Sequence, residues 1–270
     1  MARAADLVVA ARASASAGRW EQAEALLADD QDHPDVAYAL AETAVDAAFW
    51  RRGGARGRAH ERSAARRIPL ARARRGALDV PVRMLTLRHR YQQLLFTGSG
   101  PAAARDLAAD LAALGEQQCA DCDPAAGWTA FYEARCRDAL LHDPSRAAAL
   151  YEQSADQARA RGDRLAESYP LRHLAAQAHA AGHLDEAATL AYQSLALRQA
   201  AAAAPAVAAQ QVMVVQFALA DGGDPAADLA AGWRALRGMA DAAALTARVL
   251  DLPFVASAAV ALTLKLPAGV

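Results

Sequence analysis

Cys119, Cys122, Cys136 and His142 are the residues whose types and spacing come nearest to a metal-binding set. A Cys-x2-Cys pair followed by a further cysteine and a histidine offers the donors of a tetrahedral zinc site. The expected helix geometry argues against it. A helix over 125–142 carries Cys136 roughly 16 Å beyond the loop that holds the other two thiols, at 1.5 Å rise per residue. Zinc holds each thiolate at about 2.3 Å. No metal and no cofactor is therefore expected, and three cysteines are too few for a secreted disulfide framework. His179 and His183 stand at i, i+4, the spacing that puts two imidazoles on one helix face. Gly182 lies between them and is expected to end the helix, which makes His183 a turn residue. Asp185 and Glu186 then read as first-turn acids favoured by the helix dipole. The sequence contains no H-E-x-x-H, G-x-S-x-G, P-loop or G-x-G-x-x-G signature, and no catalytic set stands out.

Arginine is the other reactive surface. From Arg51 to Arg90 there are 13 arginines against two acids, Glu61 and Asp79, a local balance of +11. The rest of the chain carries −12, so the whole is near neutral. Such asymmetry marks either an anion site or one half of an internal electrostatic match. Arg58, Arg62 and Arg66 share one face at four-residue spacing, which would suit phosphate contacts. Stacking aromatics are missing from that stripe, no nucleic-acid module is evident, and the remaining acidic surface would repel DNA. A solvated face, or pairing with acids on neighbouring helices, is the favoured reading.

The elements that must position these residues are helical. Alanine and leucine dominate, aromatics are few, and alternating β-branched runs are absent. The N-terminus, MARAADLVVAARA, lacks the apolar stretch of a signal peptide. The longest apolar run, Phe254–Leu264, is shorter than the roughly 20 residues that a membrane span needs. A cytoplasmic protein with no membrane partner is expected. Phe254–Leu264 reads as a buried terminal helix, with a homodimer face as the alternative.

A turn residue followed five positions later by alanine recurs along the chain. It appears as GRWEQA (Gly18–Ala23), GARGRA (Gly54–Ala59), GSGPAA (Gly98–Ala103), DPSRAA (Asp143–Ala148), GHLDEA (Gly182–Ala187) and GGDPAA (Gly222–Ala227). Successive starts are 36, 44, 45, 39 and 40 residues apart. Glycine or Asp-Pro stops one helix, and the small residue lets the next approach closely. Helix pairs are predicted at 3–16 and 19–30, 35–52 and 55–76, 80–97 and 101–117, 125–142 and 145–161, 164–181 and 184–201, 206–220 and 225–239. A last segment, 241–265, is interrupted by Pro253 and packs on the final pair. Pro170 is expected to begin a helix or kink one.

This pattern resembles a divergent tetratricopeptide repeat, best in Ser16–Leu27 and Ala181–Gln199. The family's first-helix tryptophan, leucine-glycine and tyrosine are replaced here by Leu171, Leu174–Ala175 and Ala178. The resemblance implies one all-α domain over 1–270, a right-handed solenoid of about six antiparallel helix pairs whose first helices line a concave groove. It places Arg12, Arg51, Arg52, Arg88, His89, Gln92, Glu133, Arg137, Tyr169, Arg172, His173, His179 and Gln216 in that groove. Leu95, Phe96, Leu140, Leu141, Val212 and Met213 would add apolar contacts there. Apart from Glu133, the polar members are mostly donors or cations. The function expected on this basis is a non-catalytic scaffold or adaptor holding an acidic peptide or protein segment. A regulatory protein with a small-molecule ligand, and an enzyme of a bacterial biosynthetic pathway built on the repeat, are the alternatives.

Overall fold

The computed structural model describes residues 2–98, 100–118, 126–220 and 229–266. Among these residues it is all-α, with thirteen α-helices. They are α1 (Ala2–Ser16), α2 (Trp20–Leu27), α3 (Pro34–Trp50), α4 (Ala55–Arg75), α5 (Val80–Thr97), α6 (Pro101–Glu116), α7 (Ala126–Ala139), α8 (Pro144–Ala160), α9 (Arg164–Ala180), α10 (Leu184–Ala200), α11 (Ala204–Ala220), α12 (Leu229–Val249) and α13 (Pro253–Thr263). A 3-10 turn, Ala28–Asp30, follows α2.

The turns explain the boundaries. Pro34, Pro101, Pro144 and Pro253 each open a helix, where the missing N–H costs nothing. The carboxylates of Asp79, Asp143 and Asp163 accept from the amides of Val82, Arg146 and Ala166, capping α5, α8 and α9. Gly182 takes φ +81 between α9 and α10, a conformation glycine adopts at little cost. It thereby separates His179 from His183 as the sequence suggests.

The helix ends follow expectation less closely at the C-terminal side. α12 runs unbroken through Asp241 to Val249, because Ala240, Ala243 and Ala247 form one fully buried stripe. Of the two expectations for Pro170, that it begins a helix or kinks one, the first does not hold. It lies buried inside α9, six residues after the first.

Helices adjacent in sequence pack on one another, and each odd-numbered helix from α1 to α7 also meets the next odd one. The central core joins α5 to α8 through Met84, Tyr91, Leu107, Leu111, Phe131 and Tyr151. A second cluster brings the two ends of the chain together. Trp20 of α2 and Ala47 of α3 share it with Val212 and Val215 of α11, Ala243 of α12 and Leu252, Val255 and Ala259 at α13. Arg51 Nε donates to the Leu250 carbonyl at 3.2 Å across this junction. Gly18 takes φ +79, which favours glycine, and a Cβ there would stand 2.7 Å from Leu250 Cδ1, so that side chain would have to move. The segment 251–266 thus covers both the last helices and the first.

Candidate functional site: the facing layer of first helices

Side chains that link one odd-numbered helix to the next form a continuous ladder. Between α1 and α3, Arg12 Nε donates to Glu42 at 2.9 Å and its guanidinium lies over Tyr38. Between α3 and α5, Arg88 is ion-paired with Asp46, and Arg52 lies 2.9 Å above the Phe96 ring. Between α5 and α7, Tyr91 meets Tyr132 edge-on at 5.6 Å and Arg135 lies over Tyr91. Between α7 and α9, Phe131 and Trp128 contact Tyr169, and Arg135 Nη1 lies 3.3 Å from His173 Nδ1. Between α9 and α11, Arg172 Nη1 donates to the Ala209 carbonyl at 3.0 Å and to Gln210 Oε1 at 2.9 Å. His179 stacks on Phe217 at 4.1 Å.

Most residues assigned to the groove lie on this layer, and most have internal partners. Arg137 donates Nε and Nη2 to one oxygen of Glu133, at 2.9 and 2.7 Å. His89 is buried beside Glu61 and Gln93. Gln92 is buried too, its Oε1 unpartnered among the described residues. His173 stacks on Tyr151 with ring centroids 5.1 Å apart. Gln216 is exposed. Arg51 stands apart from the layer. It is buried at the junction of the chain ends, over Trp20, paired with Glu21 and 3.3 Å from His60 Nε2. Its donors serve the closure of the fold.

Most of the arginine-rich segment falls into two sets. Seven of its thirteen arginines, Arg51, Arg56, Arg67, Arg74, Arg75, Arg88 and Arg90, lie against acids within 4 Å, including Glu24, Asp32, Asp35, Asp110 and Asp251. The internal match anticipated from the charge balance is therefore present. Arg58, Arg62, Arg66 and Arg72 are exposed on α4 and have no acidic partner among the described residues.

The metal reading can be followed only in part, because Cys119 and Cys122 lie outside the described residues. Cys136 Sγ donates to the Ala104 carbonyl at 3.2 Å, and burial pushes its thiol up to about 11, so it is a neutral core residue. Among the described residues no group of three metal-ligating side chains converges. His183 stays exposed at the start of α10, 3.6 Å from Glu186.

No family model matches this sequence, and no curated protein does.

Sequence reasoning passed over Arg135 and Arg198, which the structure places among the aromatic residues of this layer. Arg198 was within reach. The buried stripe Ala187, Ala191, Ser194 of α10 continues by one further turn to Arg198.

Burial holds three histidines below their ordinary range. It does so at His60 against the opposing carboxylate of Glu24, and at His89 against Glu61. At His173 burial is reinforced by Arg135, Arg172 and Arg198. At each of them the fold favours the neutral imidazole more than the unfolded chain does, whose histidines protonate near 6.5. The unfolded state then binds more protons, so stability is fully present above that value and falls as the pH drops below it. Each unmatched proton costs up to about 1.4 kcal/mol per pH unit. Urea titrations at pH 7 and about pH 5.5 should show a clear loss, smaller in H173F, which keeps the stack on Tyr151. Equal midpoints at both pH values would contradict this assignment.

Proposed function

We propose that this chain is a non-catalytic binding module of the helical-repeat kind, in which antiparallel helix pairs stack as a right-handed solenoid and hold an acidic protein segment. The carrying observation is the division of the arginines. On the first-helix layer Arg12, Arg88 and Arg137 are already matched by Glu42, Asp46 and Glu133. On α4, Arg58, Arg62, Arg66 and Arg72 share one exposed face, about 21 Å long, without an acid of their own. Guanidinium groups so placed grip carboxylates through paired hydrogen bonds and speed their encounter. The exposed Leu70 on the same helix adds an apolar contact. Acidic docking on α4 therefore has free donors, where the first-helix groove would have to break existing pairs.

The test compares the two faces. A partner is captured by pull-down from native lysate, identified by mass spectrometry and titrated against variants, with a polyglutamate peptide as defined probe. Reversal at Arg62 and Arg66 together should weaken binding about tenfold or more and flatten its salt dependence. Reversal at Arg137 should leave affinity near wild type, because its donors are held by Glu133. The opposite ranking would return the site to the groove. Tighter binding of duplex DNA than of any acidic protein would remove the proposal.

A further inference from the structure

Arg198 is almost fully enclosed, with 1% of its surface exposed, in the last turn of α10. Its Nη1 donates to the Ala206 carbonyl at the start of α11, 2.9 Å away, and its guanidinium lies 4.8 Å from the centre of the Tyr169 ring. Its Nε and Nη2 are buried and have no partner among the described residues. These two nitrogens are not an arbitrary pair. Their N–H bonds point the same way from one edge of the guanidinium, the edge that binds an oxyanion through two parallel hydrogen bonds.

A second cation stands beside it. Arg172 is aimed into the same region from α9, fixed by the Ala209 carbonyl and by Gln210 Oε1, and Gln210 is itself anchored through Nε2 to the Ala191 carbonyl at 3.0 Å. Burial, together with Arg198 and Arg135, pushes Arg172 down to about 9, and burial brings Arg198 to about 10. Both stay cationic at neutral pH. No carboxylate contributes to the field at either group among the described residues. Asp138, beside the same aromatic residues, serves Arg135 at 3.9 Å and accepts from the Tyr151 hydroxyl at 3.0 Å.

Two enclosed guanidinium groups without a counter-charge are costly to keep, and the face of one tyrosine offsets only part of that cost. An anion seated against the free edge would satisfy both donors and neutralise the charge. We infer that the region bounded by α9, α10 and α11 is a binding site for a small oxyanion, gripped by Nε and Nη2 of Arg198 with Arg172 as the second charge. The free edge offers two donors, the number that a phosphate or a single carboxylate accepts side by side. Free inorganic anion and the acid group of a small metabolite share this chemistry. The site is separate from the α4 face and does not depend on the proposed partner.

The test is thermal unfolding of the full chain at constant ionic strength, with sodium phosphate or sodium formate replacing sodium chloride. Chloride is the comparator because it offers one acceptor centre where an oxyanion offers two oxygens to the two parallel N–H bonds. Wild-type protein should show a saturable rise in Tm with phosphate, with formate or with both. A response to phosphate alone points to a phosphate group, and one to formate alone to a carboxylate. R198M should unfold at the same or a higher temperature without anion, since it removes an uncompensated charge, and should lose the saturable response. R172Q should keep the response with half-saturation at least about tenfold weaker. If R198M does not fold, R172Q and direct calorimetric titration of wild type decide. Identical Tm in all three salts, or variants that respond as wild type, would overturn the inference.

Discussion

Trp20→Ala should destabilise both ends of the molecule at once, by about 3–5 kcal/mol. Trp20 is the first residue of α2 and only 1% exposed. It sits in the cluster that joins α2 and α3 to α11, α12 and α13, with Arg51 stacked 4.8 Å from its ring centre. Truncation would leave a cavity between segments about 230 residues apart in sequence. It would also take the aromatic face from beneath Arg51, whose Nε holds the Leu250 carbonyl. The loss should therefore appear remotely. Hydrogen exchange should accelerate in α13, although α13 is unchanged in sequence, and small-angle scattering should report a larger radius as the ends part. A variant that unfolds at lower urea while α13 keeps its protection would show that the junction is not cooperative.

The helices were legible because their signals are local. Asp-Pro at Asp143–Pro144, glycine at Gly182 and the alanine stripe of α10 each act within a turn or two, and the observed boundaries follow them. The phase of the small-residue pattern was legible only approximately. The buried small residue is the fourth of its helix in α2, α6, α8 and α10, namely Ala23, Ala104, Ala147 and Ala187. Counting from the turn glycine or aspartate finds Ala23 and Ala187 but selects Ala103 and Ala148 in place of Ala104 and Ala147. Turn length varies, and helix phase starts only where the helix starts. The expected turn at Gly222–Ala227 lies outside the described residues.

The site was less legible than the fold. The Glu133–Arg137 pair is an i, i+4 contact within α7 that spacing alone offers, but the expected register could not show that Asp46 would meet Arg88 or that the Ala209 carbonyl would meet Arg172. Those pairings depend on how neighbouring helices are rotated about their axes, which a pattern confined to one helix does not encode. The junction between chain ends was invisible for a related reason. Gly18, Trp20, Arg51 and Leu250 each look ordinary alone, and only their meeting in space gives them a role.

Gly57→Ala should be a strongly damaging single-methyl change. GARGRA suggested Ala59 as the small contact of the second unit, yet Ala59 is exposed and Gly57 is the buried contact. A Cβ at Gly57 would lie 2.2 Å from the Arg51 carbonyl oxygen, 2.7 Å from its carbon and 3.0 Å from the Arg52 Cα. All three are backbone atoms, so no side-chain rotation relieves the clash, and the start of α4 must move away from the end of α3. That movement strains the turn 51–54 and displaces Arg51, which holds Glu21 and the Leu250 carbonyl. Overfilling a tight site costs about 1–3 kcal/mol when side chains can adjust. Here the backbone must shift and the junction contacts loosen with it, so the loss should reach or exceed the upper end of that range. Gly54→Ala is the internal control. Its Cβ would meet the Arg51 oxygen at an ordinary 3.6 Å, and its effect should be small. Equal urea midpoints for the two variants would mean that α3 and α4 can separate freely and that their close approach does not secure the junction.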